Sequence, residues 1–293
     1  IFSPAIAWLV SRPLAKPTAS LAPKQLQFLR GVARKTFAYF ENFVTAEDNW
    51  LPPDNYQEHP VERIAHRTSP TNIGFALMAN LAGIDLGYIH TGQFIERTTN
   101  TFRSMQVMER FRGHFYNWYD TQTLKPMPPH YISTVDSGNL AGQIITLRQG
   151  ILAMANQPVI GPQLMEGLND TLQLLSVEMK NPDVLKPFQE LLNDLRNLET
   201  FTFREVKLLM DQLITSTEKI IAENPGNQQS DQYYWSRALF MQCHNIRDEL
   251  YQCTPWLMLS EVPGKFSSLL PTEEIPSLNQ LASLENNVRK ELS

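Results

Sequence analysis

Apolar positions recur every three or four residues along most of the chain, the spacing that gives a helix one apolar face. From Pro23 onward, Leu29, Val32, Ala33, Phe37 and Phe40 share such a face, and Pro23 suits a first helical turn. Ser69-Pro70-Thr71 opens a second helix, with Ile73, Leu77, Leu81 and Ile84 inward and Gly87 as its stop. A third runs from Gln93 to Met108. The fourth is predicted from Ser137 to Ala155, with Leu140, Ile144, Leu147, Ile151 and Leu152 inward. Three more are expected over Pro162 to Met179, Phe203 to Ile221 and Ser230 to Leu250, the last two parted by Asn224-Pro225-Gly226-Asn227. Beyond Pro255 the chain is broken by Pro263, Pro271 and Pro276, before a closing amphipathic stretch from Ser277. Alternating runs of β-branched residues are missing, so the fold class read from the pattern is all-α.

Two connections between these helices are long and oddly composed. The first, from Thr45 to Thr68, holds Trp50, Asp54-Asn55-Tyr56-Gln57-Glu58, Arg63, His66 and Arg67. The second, from Phe111 to Thr134, holds His114-Phe115-Tyr116-Asn117-Trp118-Tyr119-Asp120-Thr121 and leads into Asp136-Ser137-Gly138-Asn139. Aromatic rings beside carboxylates and amides suit a carbohydrate: pyranose C–H faces lie on Trp or Tyr, and hydroxyls need Asp, Asn and Arg. Glu58, Asp120 and Asp136 are the carboxylates available for paired acid–base work on a glycosidic bond. Each residue also has a structural reading. Trp118 and Tyr119 would cap a core, Asp136 or Ser137 would cap a helix, Asp54-Asn55 would form a turn, and Arg67 would pair with Glu58 or Glu62. The histidines lack metal-ligand spacing, and there is no phosphate loop or nucleophile elbow.

Composition narrows the classes. With 293 residues, 42% of them hydrophobic, the chain has the length and apolar content to bury a core rather than stay disordered. Its 25 basic against 30 acidic residues leave a net charge of −5, which argues against nucleic acid as a partner. Cys243 and Cys253 stand ten residues apart in one expected helix, about 15 Å along its axis and too far to bridge. The opening Ile1 to Val10 is apolar, followed by Arg12 and Lys16. It reads either as the end of a membrane span with a cytoplasmic basic flank or as an ordinary packed helix. Starting on Ile rather than Met, it implies that upstream sequence has been removed.

The motifs, taken in order, resemble cyclic β-1,2-glucan synthase, a very large bacterial inner-membrane enzyme. They are Ala33 to Phe43, Asp48 to Glu58, His66 to Gly74, Gly113 to Thr121, and Ser133 to Gly142. Trp235-Ser236-Arg237-Ala238 and Pro255-Trp256-Leu257 also look familiar in place, whereas the stretch after them matches no family motif. The resemblance implies a partial α/α toroid of the glucoamylase-like kind, the first part of the domain that closes the glucan ring by transglycosylation. Residues 1–20 would end a transmembrane segment, 21–160 would begin the α/α domain, 161–260 would continue it, and 261–293 would be a tail. It also implies a place on the cytoplasmic side of the inner membrane, with β-1,2-glucan and the other modules of the same polypeptide as partners. The upstream module would use UDP-glucose, and no cofactor or metal is implied here. The catalytic glutamates of ring closure would lie outside this chain. Glu58, Arg67, Trp118, Tyr119, Asp120, Asp136 and Asn139, on motif positions, would line the substrate groove. The competing expectation is a non-catalytic linker between the polymerising and cyclising modules.

Overall fold

A computed structural model describes residues 6, 8, 11, 21–197, 202–223, 227–258 and 275–292. The membrane-span reading of residues 1–10 therefore falls almost wholly outside the described residues, as does the tail over 259–274. Among the described residues no helix is long and apolar enough to cross a membrane.

The helices are α1 (Pro23–Phe43), α2 (Pro70–Asp85), α3 (Thr91–Val107), α4 (Thr134–Met154), α5 (Pro162–Glu178), α6 (Lys186–Arg196), α7 (Phe203–Glu223), α8 (Asp231–Cys253) and α9 (Leu278–Leu292). Among the described residues the strands are two residues each and pair within or between connections: β1 (Tyr56–Gln57) with β2 (Arg63–Ile64), β3 (Arg67–Thr68) with β6 (Tyr119–Asp120), and β4 (Arg110–Phe111) with β5 (His114–Phe115). The chain is all-α, as the period of its apolar residues requires.

Helix starts follow local chemistry. Ser69 caps α2 by accepting from the Asn72 N–H at 3.3 Å, and Pro70 occupies the first turn, where its missing N–H costs nothing. For α4 the cap is Ser133, whose Oγ accepts from the Asp136 N–H at 3.1 Å. This corrects the expectation of Asp136 or Ser137 as cap. The helix begins one turn earlier, Asp136 sits inside it, and the Ser137 hydroxyl donates to the Ser133 carbonyl at 2.8 Å. Helix α6 is absent from the expected elements, although Leu185, Phe188, Leu192 and Leu195 recur at three- and four-residue spacing. It is short, but Leu185, Phe188, Leu192 and Leu195 are all buried, so its place is earned by packing rather than propensity.

The core forms two clusters. One joins α2, α3 and α4 through Ile73, Leu77, Phe94, Leu140 and Leu147, and it takes in Leu51 and Tyr119 from the connections. The other joins α5 to α8 through Leu168, Leu172, Phe188, Met210 and Leu239. Helix α1 bridges them differently from its expected face: Leu29 and Val32 are 48% and 46% exposed, while Arg34, Phe37 and Ala38 are buried. Likewise Ile151 and Leu152 of α4 face out. The buried Arg34 guanidinium meets Glu41 at 2.6 Å and Thr171 at 2.9 Å, and lies 5.3 Å from the Tyr88 and Trp235 ring centres. Arg30 reaches Asp170 at 2.8 Å. A charged side chain thus occupies α1's buried position because Glu41 further along the same face of α1, Thr171 of α5 and the Trp235 ring of α8 supply its partners. The turn after α2 requires glycine twice. Gly87 has φ +79°, and a Cβ there would lie 1.8 Å from the Gln163 carbonyl oxygen; one on Gly167 would lie 1.9 Å from the Gly87 carbonyl. Both cysteines are free.

Candidate functional site

The two unusual connections meet. Strand β3 of the first pairs antiparallel with β6 of the second, Arg67 opposite Asp120 and Thr68 opposite Tyr119. The seam continues at one end, where the Thr121 N–H donates to the His66 carbonyl at 3.1 Å and Asn49 Nδ2 donates to the Thr121 carbonyl at 2.8 Å. Buried Asp48 lies beneath it, with its Oδ1 2.8 Å from His66 Nδ1 and also accepting from the Thr121 hydroxyl.

Alternation along the strand sorts the motif residues, because neighbours in a strand face opposite sides. Tyr119 points inward and is fully buried; its hydroxyl donates to the Glu109 carbonyl at 2.7 Å and accepts from the Tyr116 N–H at 2.8 Å. Burial, with smaller contributions of both signs from its neighbours, pushes this phenol up to about 12. Trp118 is half-buried, with the Arg67 guanidinium 4.9 Å from its ring centre. Arg67 is held by Asp54, whose Oδ2 accepts from Nε at 3.2 Å and Nη2 at 2.9 Å, while Oδ1 accepts from Asn72 Nδ2 at 3.3 Å. The expected partners Glu58 and Glu62 are not used. Glu58 is exposed at the end of the β1–β2 hairpin, and Glu62 accepts instead from the Tyr56 hydroxyl. Asp54 and Asn55 do not make a tight turn; their backbones bond to Ala65 across the loop. Asp120 ties its own turn, its Oδ1 accepting from the Gln122 N–H at 3.1 Å, the Thr123 N–H at 2.7 Å and the Thr123 hydroxyl at 2.9 Å.

Asp136 and Asn139 reach the same face from α4. With the Asn117 amide oriented to satisfy its neighbours, its nitrogen donates to Asp136 Oδ2 at 2.9 Å; its oxygen accepts from Trp118 Nε1 at 2.9 Å and the Tyr131 hydroxyl at 2.7 Å. Asn139 donates to Thr71 at 3.1 Å. Burial alone would raise the Asp136 carboxyl, but hydrogen bonds from Ser133, Thr71, Ser69 and its own N–H hold it below the usual carboxylate range. Asp136 is therefore an anchored anion and a poor proton donor near neutrality.

Arg67, Trp118, Asp136 and Asn139 thus belong to one connected group, Asp120 stands beside it in a structural turn, Tyr119 lies under it, and Glu58 lies apart. Sequence reasoning gave Asp54 only a turn and did not single out Asn72 or Asn117; the three link the group. Each stood inside a quoted motif, but only the fold brings Asp54 to Arg67 thirteen residues later. On the far side of Asp54 lies a hollow of about 600 Å³ walled by Tyr39, Phe40, Tyr56 and Phe75, with Asn55 and Asn72 at its polar edge. Rings with a carboxylate and amides at one rim are suited to holding an apolar-faced, hydroxylated ligand.

No protein-family model matches the chain. Over 222 residues the chain is 36% identical to cyclic beta-(1,2)-glucan synthase NdvB of Rhizobium meliloti (strain 1021), a match covering 75% of this chain and 7% of that protein. The resemblance seen in the motifs therefore stands over three quarters of the chain. Among solved structures, a candidate glucoamylase from Bacteroides fragilis NCTC 9343 is 22% identical, with a TM-score of 0.32 over 58% of this chain and 34% of that one. Another from Bacteroides caccae ATCC 43185 is 24% identical, with a TM-score of 0.34 over 53% of this chain and 39% of that one.

Proposed function

We propose that this chain is the glucan-contacting first part of the domain that closes the ring in a membrane-bound bacterial enzyme making cyclic β-1,2-glucan. The observation that carries the reading is the seam between the two motif-bearing connections. It sets Arg67 on Trp118 and joins Trp118 to Asp136 through Asn117, beside the ring-walled hollow at Asp54. The similarity to a cyclic glucan synthase supports it. In this reading the sugar stacks on aromatic rings while the anchored Asp54, Asp136 and Asn139 accept and donate at its hydroxyls. The glycosidic bond is cut and re-formed by groups outside this chain, and other modules supply the growing glucan from UDP-glucose at the membrane's cytoplasmic face.

Linear β-1,2-glucan titrated into the 293-residue chain, read by tryptophan fluorescence, tests this. Saturable binding weakened about tenfold by Trp118→Ala, with the fold retained, is expected. A folded chain that ignores the glucan, or a variant that binds unchanged, would refute it. A second reading, a non-catalytic spacer between modules, draws support from Tyr119 and Asp120, whose polar atoms serve the fold. It expects Asp136→Ala to leave ring formation by the full enzyme intact.

A further inference from the structure

Next to the ring-walled hollow, and sharing Asn55 with it, lies a second pocket of about 480 Å³ with a different chemistry. Three basic side chains line it, Arg63, His66 and Arg67, together with the amides of Asn55 and Gln57 and the apolar Ile64, Ala65 and Met127. No carboxylate and no Trp, Tyr or Phe ring is among these lining residues. A neutral sugar site normally offers both, because a carboxylate accepts from paired hydroxyls and a ring covers the C–H face. The Asn55 and Gln57 amide nitrogens are already given to Asp54 and to the Val61 carbonyl, so the fixed positive charge at this pocket comes from the two guanidinium groups, whose N–H forks suit an oxyanion.

The basic groups are also aimed. Arg67 spends its Nε and Nη2 on Asp54, and its Nη1 edge makes no hydrogen bond among the described residues. His66 turns Nδ1 to the buried Asp48, which fixes the ring and leaves Nε2 as its open edge. The two carboxylates are tied to the protein: Asp48 Oδ1 by His66 and Thr121, and both oxygens of Asp54 by Arg67, Asn55 and Asn72. Arg63 is exposed, and its side chain makes no hydrogen bond or ion pair among the described residues. With Arg67 paired to Asp54, the Arg63 guanidinium is the charge at this pocket left without a counter-ion among the described residues.

We infer that the pocket lined by Arg63, His66 and Arg67 binds a small ligand bearing an oxyanion, a phosphate ester or a carboxylate, at a site that adjoins the proposed glucan surface through Arg67 and Asn55 and is told from it by Arg63. The inference stands on this pocket and does not require the glucan reading. The test is calorimetric titration of the full chain at low salt with inorganic phosphate, glucose 6-phosphate, glucuronate and glucose. Saturable binding of at least one of the three anions, weakened about tenfold by Arg63→Gln and further by Arg63→Glu, with glucose inert, is expected. Preference among phosphate, glucose 6-phosphate and glucuronate then separates a phosphate ligand from a carboxylate one. Because Arg63 has no partner to lose, both variants should fold, and a thermal melt checks it. Glucose binding as well as glucose 6-phosphate, no anion binding, or anion binding indifferent to Arg63 would overturn the inference. None of these outcomes bears on whether β-1,2-glucan binds at Trp118.

Discussion

Tyr119→Phe separates a residue that holds the site from one that touches a ligand. The ring stays, so the fully buried side chain leaves almost no cavity. What is lost is one hydroxyl that donates to the Glu109 carbonyl at 2.7 Å and accepts from the Tyr116 N–H at 2.8 Å. Both partners belong to the stretch that carries the β4–β5 hairpin, so the hydroxyl staples this hairpin to the seam. Two such bonds at roughly 1 kcal/mol each give a loss of about 2 kcal/mol. For a domain of this size that lowers Tm by roughly 4 to 8 °C. The same variant should blunt the alkaline transition. A phenol held near 12 when folded, against an ordinary value of 10.0, contributes stability that is complete below the lower figure and is lost as pH rises through the upper one. Urea melts at pH 7 and pH 11 on both proteins measure this, with the difference smaller at pH 11. Glucan affinity should be unchanged. An unaltered melt together with weakened glucan binding would refute the assignment and return Tyr119 to the ligand surface.

Two further predictions follow from local geometry. Asp136→Asn should cost about 1 kcal/mol at pH 7 by removing an anion from the first turn of α4. Because the folded carboxyl is held below its ordinary value, that cost should shrink as pH falls below the unfolded value of 3.8, which denaturant melts between pH 3 and pH 7 would show. Gly87→Ala should destabilise by about 3 kcal/mol or more, since φ is +79° and the new Cβ would meet the Gln163 carbonyl at 1.8 Å. A melt within about 0.5 kcal/mol of wild type would contradict that packing.

How much was legible depends on the range of the interaction. The period of apolar residues, Ser69-Pro70 and Gly161-Pro162 at helix starts, and Gly87 at a stop are local signals, so most helices could be read directly. Ser133 escaped notice because Asp136 and Ser137 are equally good caps in isolation; the choice is made where the backbone leaves its extended conformation. Helix α6 was also legible, with Leu185, Phe188, Leu192 and Leu195 at helical spacing, and was passed over because it is short, with Pro182 and Pro187 at its start and a polar stretch after it. At the site, the residue types of the two connections announced polar and aromatic chemistry, but not their roles.

The sequence by itself determined that this chain is helical, that two long connections carry its unusual chemistry, and which relatives share those motifs. Only the tertiary structure decided that Trp118 faces Arg67 while Tyr119 enters the core, that Arg67 answers to Asp54 rather than Glu58, and that Asp120 serves a turn. The reason is physical. A helix forms on contacts three and four residues apart, whereas the register of β3 against β6 joins segments some fifty residues apart. A shift of that register by one residue would exchange every inward and outward side chain.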